Sequence, residues 1–154
     1  PQYPVGAEAS VNPFSVSATY NNGPAAVMLG YERNAVETKV MSIGASFMAT
    51  PELKLLALAT RQDQDNILFA NSKTKAWVLG ANYTAGPGKF LAGYGQKDPD
   101  GVTAKTKQFS LGYEYSLSKR TYVYIDASRK KNGVPNTGAT NTVNYYDLGV
   151  NHSF

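Results

Sequence analysis

The sequence predicts an all-β protein, an antiparallel transmembrane β-barrel with about nine strands present in its 154 residues. Three observations carry this. Segment after segment alternates apolar residues with small or polar ones, the period of a strand with two unlike faces. No stretch approaches the ~18 consecutive apolar residues of a membrane helix. Short and long connections follow one another, a rhythm that a membrane explains by its two different sides.

In chain order, Pro1 to Asn12 reads as loop, punctuated by Pro1, Pro4 and then Pro13. The first strand, 14–20, sets Phe14, Val16, Ala18 and Tyr20 against Ser15, Ser17 and Thr19. Asn21-Asn22-Gly23-Pro24 is a tight turn, since Asn and Gly accept positive φ. The second strand, 25–32, opposes Val27, Leu29 and Tyr31 to Met28, Gly30 and Glu32. The polar residues 33–38 form a loop before a third strand, 39–48, with Met41, Ile43, Ala45 and Phe47 on one face. After the turn 49–52, residues 53–62 read as a strand. Leu55-Leu56-Ala57-Leu58 blurs its alternation, and a helix is the competing assignment.

Residues 61–74 are polar and predict a long loop. The strand at 75–84 puts Trp77, Leu79, Ala81 and Tyr83 on one face. A turn at 85–88 leads to a Gly-containing strand, 89–97, whose facing stays open, and then to a polar loop, 98–105. The next strand, 106–116, alternates most cleanly: Phe109, Leu111, Tyr113 and Tyr115 oppose Gln108, Ser110, Gly112 and Glu114. A turn at 117–120 precedes the strand 121–129, with Val123, Ile125 and Ala127 opposite Tyr122, Tyr124 and Asp126. Residues 130–142 predict a Gly/Asn/Thr loop. The last strand runs to Phe154, with Tyr146, Leu148 and Val150 on the apolar side.

The turns at 21–24, 49–52, 85–88 and 117–120 fall on one membrane side and the longer loops on the other. The last strand then runs from outside to periplasm, and so does the first. A bacterial barrel normally has an even strand number and both ends in the periplasm. The expectation is therefore a single barrel domain over 1–154 that is the C-terminal portion of a longer one, with N-terminal strands missing. No leader is visible at Pro1, so a mature or internal segment is expected.

Composition narrows the function. There is no Cys, which excludes disulfides, thiol catalysis and Cys-metal sites. The net charge of +4 is scattered along the chain, which argues against nucleic acid as a partner. His152 is the single His, so no metal site is expected. Its neighbour Ser153 points to the opposite face of the strand, which removes a Ser-His pair. No catalytic residues, metal or cofactors are expected. Asp98-Pro99-Asp100-Gly101 has the start of a calcium loop but no closing Glu, so it reads as a turn. Candidate pore-lining or pore-mouth residues are Glu32, Lys54, Arg61, Lys75, Lys107, Glu114 and Asp126. Lys54 and Arg61 fall on opposite faces of one strand, and Lys75 and Lys107 at outer strand ends. Tyr20, Tyr31, Trp77, Tyr83, Tyr113, Tyr115 and Tyr146 predict outward aromatic girdles.

Leu111-Gly112-Tyr113-Glu114-Tyr115-Ser116-Leu117-Ser118-Lys119-Arg120-Thr121, followed by Tyr146-Asp147-Leu148-Gly149-Val150-Asn151-His152-Ser153-Phe154, resembles the general porins of Gram-negative bacteria, of the β-proteobacterial type. The resemblance implies a homotrimer of sixteen-stranded barrels in the outer membrane, each a water-filled channel for passive diffusion of small ions and solutes. It implies that Tyr146, Leu148, Val150 and Phe154 form the signal read by the barrel-assembly machinery. It also implies surroundings of outer-membrane lipid and lipopolysaccharide, the remaining N-terminal part of the same barrel as partner, and the constriction loop in that missing front half. Two other readings compete: a small eight-stranded barrel with a structural or adhesive role and no open pore, and a secreted β-sandwich binding module.

Overall fold

In the chain's hairpins Gly23 and Gly86 take positive φ, +53° and +58°, each followed by a proline. Glycine at the first central position is what a two-residue II′ hairpin requires, and its twist matches that of the flanking strands. The two four-residue turns use hydroxyls instead. Thr50 Oγ1 accepts from the amides of Glu52 and Leu53 at 3.2 and 3.1 Å, and Ser118 Oγ accepts from the Arg120 amide at 3.2 Å.

These turns connect nine antiparallel strands among the described residues of a computed structural model, which describes residues 12–35, 38–66, 69–100, 104–135 and 137–154. The strands are β1 (Phe14–Asn22), β2 (Ala25–Arg33), β3 (Thr38–Met48), β4 (Leu53–Asn66), β5 (Phe69–Ala85), β6 (Gly88–Pro99), β7 (Thr106–Ser116), β8 (Thr121–Gly133) and β9 (Thr140–His152). They form one sheet in sequence order, β1 to β9, each strand paired with its neighbours in the chain. The 53–62 segment is a strand, not a helix. The N-terminal segment read as loop lies outside the described residues, except for Asn12.

Two predicted loops shrink. Residues 61–74 do not form a long loop: β4 extends to Asn66 and β5 begins at Phe69. Likewise β8 reaches Gly133 and β9 starts at Thr140, within the predicted loop 130–142. Alternation in sequence marks a strand only where one face is apolar. Beyond the apolar band both faces are polar, the signal vanishes, and the backbone ladder continues because its hydrogen bonds do not depend on apolar side chains. The asymmetry between the two ends therefore lies in polar strand extensions more than in loop length.

Register divides the side chains into two faces. One carries Val16, Leu29, Ile43, Ala59, Trp77 and their partners; the other carries Ser17, Gly30, Ser42, Thr60 and Ala76. On β3, Met41, Ile43 and Phe47 are exposed while Val40, Ser42, Gly44 and Ser46 are half-buried. The sheet thus curves around the polar face, and the apolar face is convex. No large side chain is fully buried among the described residues, and Tyr146 and Leu148 are 80% and 76% exposed. A continuous apolar face of this extent far exceeds the patches that soluble monomers leave in water. Lipid is the solvent that matches it.

The apolar band is slanted. On the convex face its border follows Lys39 on β3, Arg61 and Lys75 on β4 and β5, and Arg129 on β8. Through the register, Lys39 and Arg129 stand three same-face rungs apart across five strand steps. Three rungs are about 20 Å of strand and five steps about 24 Å, so strands standing on a level membrane border tilt by about 40°. That is the tilt of transmembrane barrels.

Candidate functional site

The concave face is the candidate site. Gly44, Gly80 and Gly93 and several serines occupy its middle and keep the wall low there. Charges are set around it. Lys54 on β4 and Lys89 on β6 stand toward the short turns, and Lys97 and Lys130 toward the opposite end. Lys89 pairs with Glu114 directly across β6 and β7. Asp126 and Asp147 are opposite one another on β8 and β9, and the Tyr124 hydroxyl donates to Asp147 Oδ2 at 3.3 Å. Gly112 and Gly149 make this possible. A Cβ on Gly112 would collide with the Asp126 carboxylate, and one on Gly149 would lie 2.5 Å from the Tyr124 hydroxyl.

Of the predicted pore residues, Glu32, Lys54, Glu114 and Asp126 share this concave face. Arg61, Lys75 and Lys107 do not: register puts them on the convex face with Trp77 and Leu111. Arg61 and Lys75 are each other's partners across β4 and β5. Strand ends are polar on both faces, so charge alone does not reveal which way such a residue points.

Sequence reasoning passed over Lys89, Lys97, Lys130, Tyr124 and Asp147. For Lys89 and Lys97 the missing information was the facing of β6. Its partners decide it: Phe90, Ala92 and Tyr94 lie beside Tyr83, Ala81 and Leu79 on the convex face, which sends Lys89, Leu91 and Lys97 inward. Asp147 and Tyr124 already sat on the polar side of the alternation. Lys130 lay in the predicted loop.

The remaining motifs have structural partners. His152 Nδ1 lies 2.9 Å from Thr121 Oγ1, and its ring packs edge-on against Phe154 with centroids 5.1 Å apart. Asp98 pairs with Lys105 at 2.8 Å, and Asp100 lies 4.0 Å from Lys75. The predicted girdle residues Tyr20, Tyr31, Trp77, Tyr83, Tyr113, Tyr115 and Tyr146 all take convex-face positions. Tyr146, Leu148 and Val150 of the terminal strand line that face as well, along a sheet edge that pairs with no further strand among the described residues.

Comparison with known proteins agrees with this wall. A family model described as Gram-negative porin matches residues 3–135. Outer membrane porin protein 32 of Delftia acidovorans is 29% identical over 140 residues, covering 85% of this chain and 39% of that protein. Outer-membrane expressed OmpT of Vibrio cholerae superposes with a TM-score of 0.76 at 16% identity, over 91% of this chain and 49% of that one. A refined porin structure gives a TM-score of 0.70 at 19% identity, over 92% of this chain and 51% of that one. The chain thus spans about two fifths to one half of the relatives it matches.

Proposed function

The chain belongs to the Gram-negative porin family of the bacterial outer membrane, and from that premise we propose that its nine strands are one side of a water-filled channel for passive diffusion of ions and small hydrophilic solutes. The observation that carries this reading is the division of faces. An apolar convex face meets lipid, and a concave face on which glycine, serine, threonine and charged residues surround a patch of Met28, Leu56, Leu58, Val78 and Leu91 meets water. Among the described residues both edges of the sheet, β1 and β9, are open. A wall with free edges has no stable place in hydrocarbon, so further strands complete the barrel, sixteen in all by family likeness. The glycines and serines along the concave face, together with the charges at both of its ends, favour an open lumen over an eight-stranded barrel plugged by its own side chains.

The wall works without catalysis or cofactor. Lys97 and Lys130 attract anions to one mouth, Asp126 and Asp147 favour cations at mid-wall, and Lys54 with the Lys89–Glu114 pair lines the other mouth. Glu32 adds an acidic group near the first mouth. A homotrimer fits this reading, supported by a trimer form among the similar OmpT structures. Tyr146, Leu148, Val150 and Phe154 present the edge that the barrel-assembly machinery would recognise.

The test is single-channel conductance of the full-length protein in a planar bilayer. Conductance proportional to bulk salt is expected. A correctly folded, membrane-inserted protein that passes no current overturns the proposal.

A further inference from the structure

We propose that the lumenal cavity between Tyr145 on β9 and Asp126 on β8 is a binding subsite for small organic ammonium ions, held by the Tyr145 ring and the Asp126 carboxylate. This deepens the channel reading and rests on it to the extent that the concave face must be wet.

Register assembles the site. Asp126 and Asp147 are partners across β8 and β9, with Ser128 and Tyr145 the next same-face pair on one side and Tyr124 and Gly149 on the other. Gly112 and Ser110 continue the first two rungs onto β7, and Leu91 and Gly93 onto β6. Tyr122, Tyr124 and Tyr145 therefore face the lumen, opposite to the tyrosines of the girdles. Tyr145 is half exposed there. Beside it the wall is low, and a cavity of about 590 Å³ opens over Gly93, Ser110, Gly112 and Ser128, with Tyr145 and Asp126 among its walls. That is the size of a site for a small solute.

The two carboxylates differ in how the chain satisfies them. Like charges directly opposed repel one another. Asp147 is held by its own surroundings: Oδ1 accepts from the Leu148 amide at 2.9 Å and Oδ2 from the Tyr124 hydroxyl at 3.3 Å. Asp126 leans the other way, over Gly112, into the space that a Cβ there would take. No hydrogen bond or ion pair among the described residues holds its carboxylate. Glu114 on the same face provides the contrast, since Lys89 neutralises it. For Asp126 the counter-charge comes from the lumen.

The surroundings select the kind of cation. A hard metal ion takes six or more oxygen ligands, and no group of three acidic or histidine side chains stands together among the described residues. A tyrosine face attracts a cation through its ring quadrupole, and quaternary ammonium groups are well suited to it. Tyr145 is the diagonal neighbour of Asp126, about 7–8 Å away along the sheet. An ammonium centre fits between ring and carboxylate, with its carbon body over the glycines and serines.

The experiment places the full-length protein in a planar bilayer and titrates choline chloride, following open-channel current and its noise. Choline should block saturably. Sodium chloride at the same concentrations should not, nor should the uncharged carbon analogue of choline. Asp126→Asn should weaken the block about 10-fold or more, and Tyr145→Leu about 3-fold. Tyr145→Phe should retain it, because the ring and not the hydroxyl meets the cation. Asp147→Asn should weaken it less than Asp126→Asn. Unchanged block in either loss variant overturns the subsite, as do an equal block by sodium and an equal loss in the two aspartate variants, which would leave only the general potential of the wall. Thermal unfolding of the same protein in detergent, with and without choline, separates the two readings. A choline-dependent rise that Asp126→Asn abolishes, in a protein that passes no current, sinks the channel and keeps the subsite. Normal current without choline block sinks only the subsite.

Discussion

Lys89 and Glu114 meet across β6 and β7 on the concave face, 2.5 Å apart and 38% and 25% exposed. Their being partners follows from register alone, since residue 89 lies opposite residue 114. In a half-wet position such a pair adds at most about 1 kcal/mol of stability. Its larger effect is to cancel two charges at the channel wall.

Removing one partner should therefore change selectivity more than stability. Lys89→Gln should move the reversal potential in a salt gradient toward cation preference, and Glu114→Gln toward anion preference. The double substitution should lie near the parent. Reversal potentials in planar bilayers read all three.

Ile43 and Ser42 are chain neighbours on opposite faces of β3. Ile43→Lys puts a charge into the lipid-facing band and should cost about 2–4 kcal/mol, read by urea unfolding from vesicles. Ser42→Lys should cost about 0.5 kcal/mol or less, the usual range for surface changes, and should increase anion preference. Equal destabilisation by both would contradict the assignment of faces.

Gly149 leaves the space that Tyr124 occupies. Gly149→Ala places a methyl where the hydroxyl lies and should push the ring off Asp147, at about 1–3 kcal/mol for overpacking. Combining it with Tyr124→Ala should restore most of the loss. Unfolding curves of the single and double variants provide the check, and additive losses would count against ring displacement.

Phe154 lies beyond the last ladder residue, exposed, with its ring against that of His152. If it acts as an assembly signal, Phe154→Ser should lower the amount inserted into the outer membrane in cells several-fold. Refolding of the purified protein into detergent should be unaffected. Equal loss in both settings would point to a purely structural role.

Much of this wall was legible in the sequence. The alternation at Phe109–Tyr115 or Val123–Ala127 exists because one face must satisfy lipid and the next residue must satisfy water, so chemistry and facing are the same information. The positive-φ turns at Gly23 and Gly86 were readable because few residues other than glycine tolerate that backbone. Past the apolar band the information fades. Asp63, Lys73 and Lys130 are soluble in loop or strand alike, and only the neighbouring strand keeps them extended.

The sequence by itself determined about nine strands, the lipid-directed face of most of them, and the family to which the chain is similar. The tertiary structure decided what depends on partners across the sheet: the facing of β6, the outward turn of Arg61, Lys75 and Lys107, the Lys89–Glu114 pair, and the opposition of Asp126 to Asp147. Periodicity specifies a residue's face within its own strand. Which residues then stand side by side is set by register, through hydrogen bonds between strands far apart in the chain.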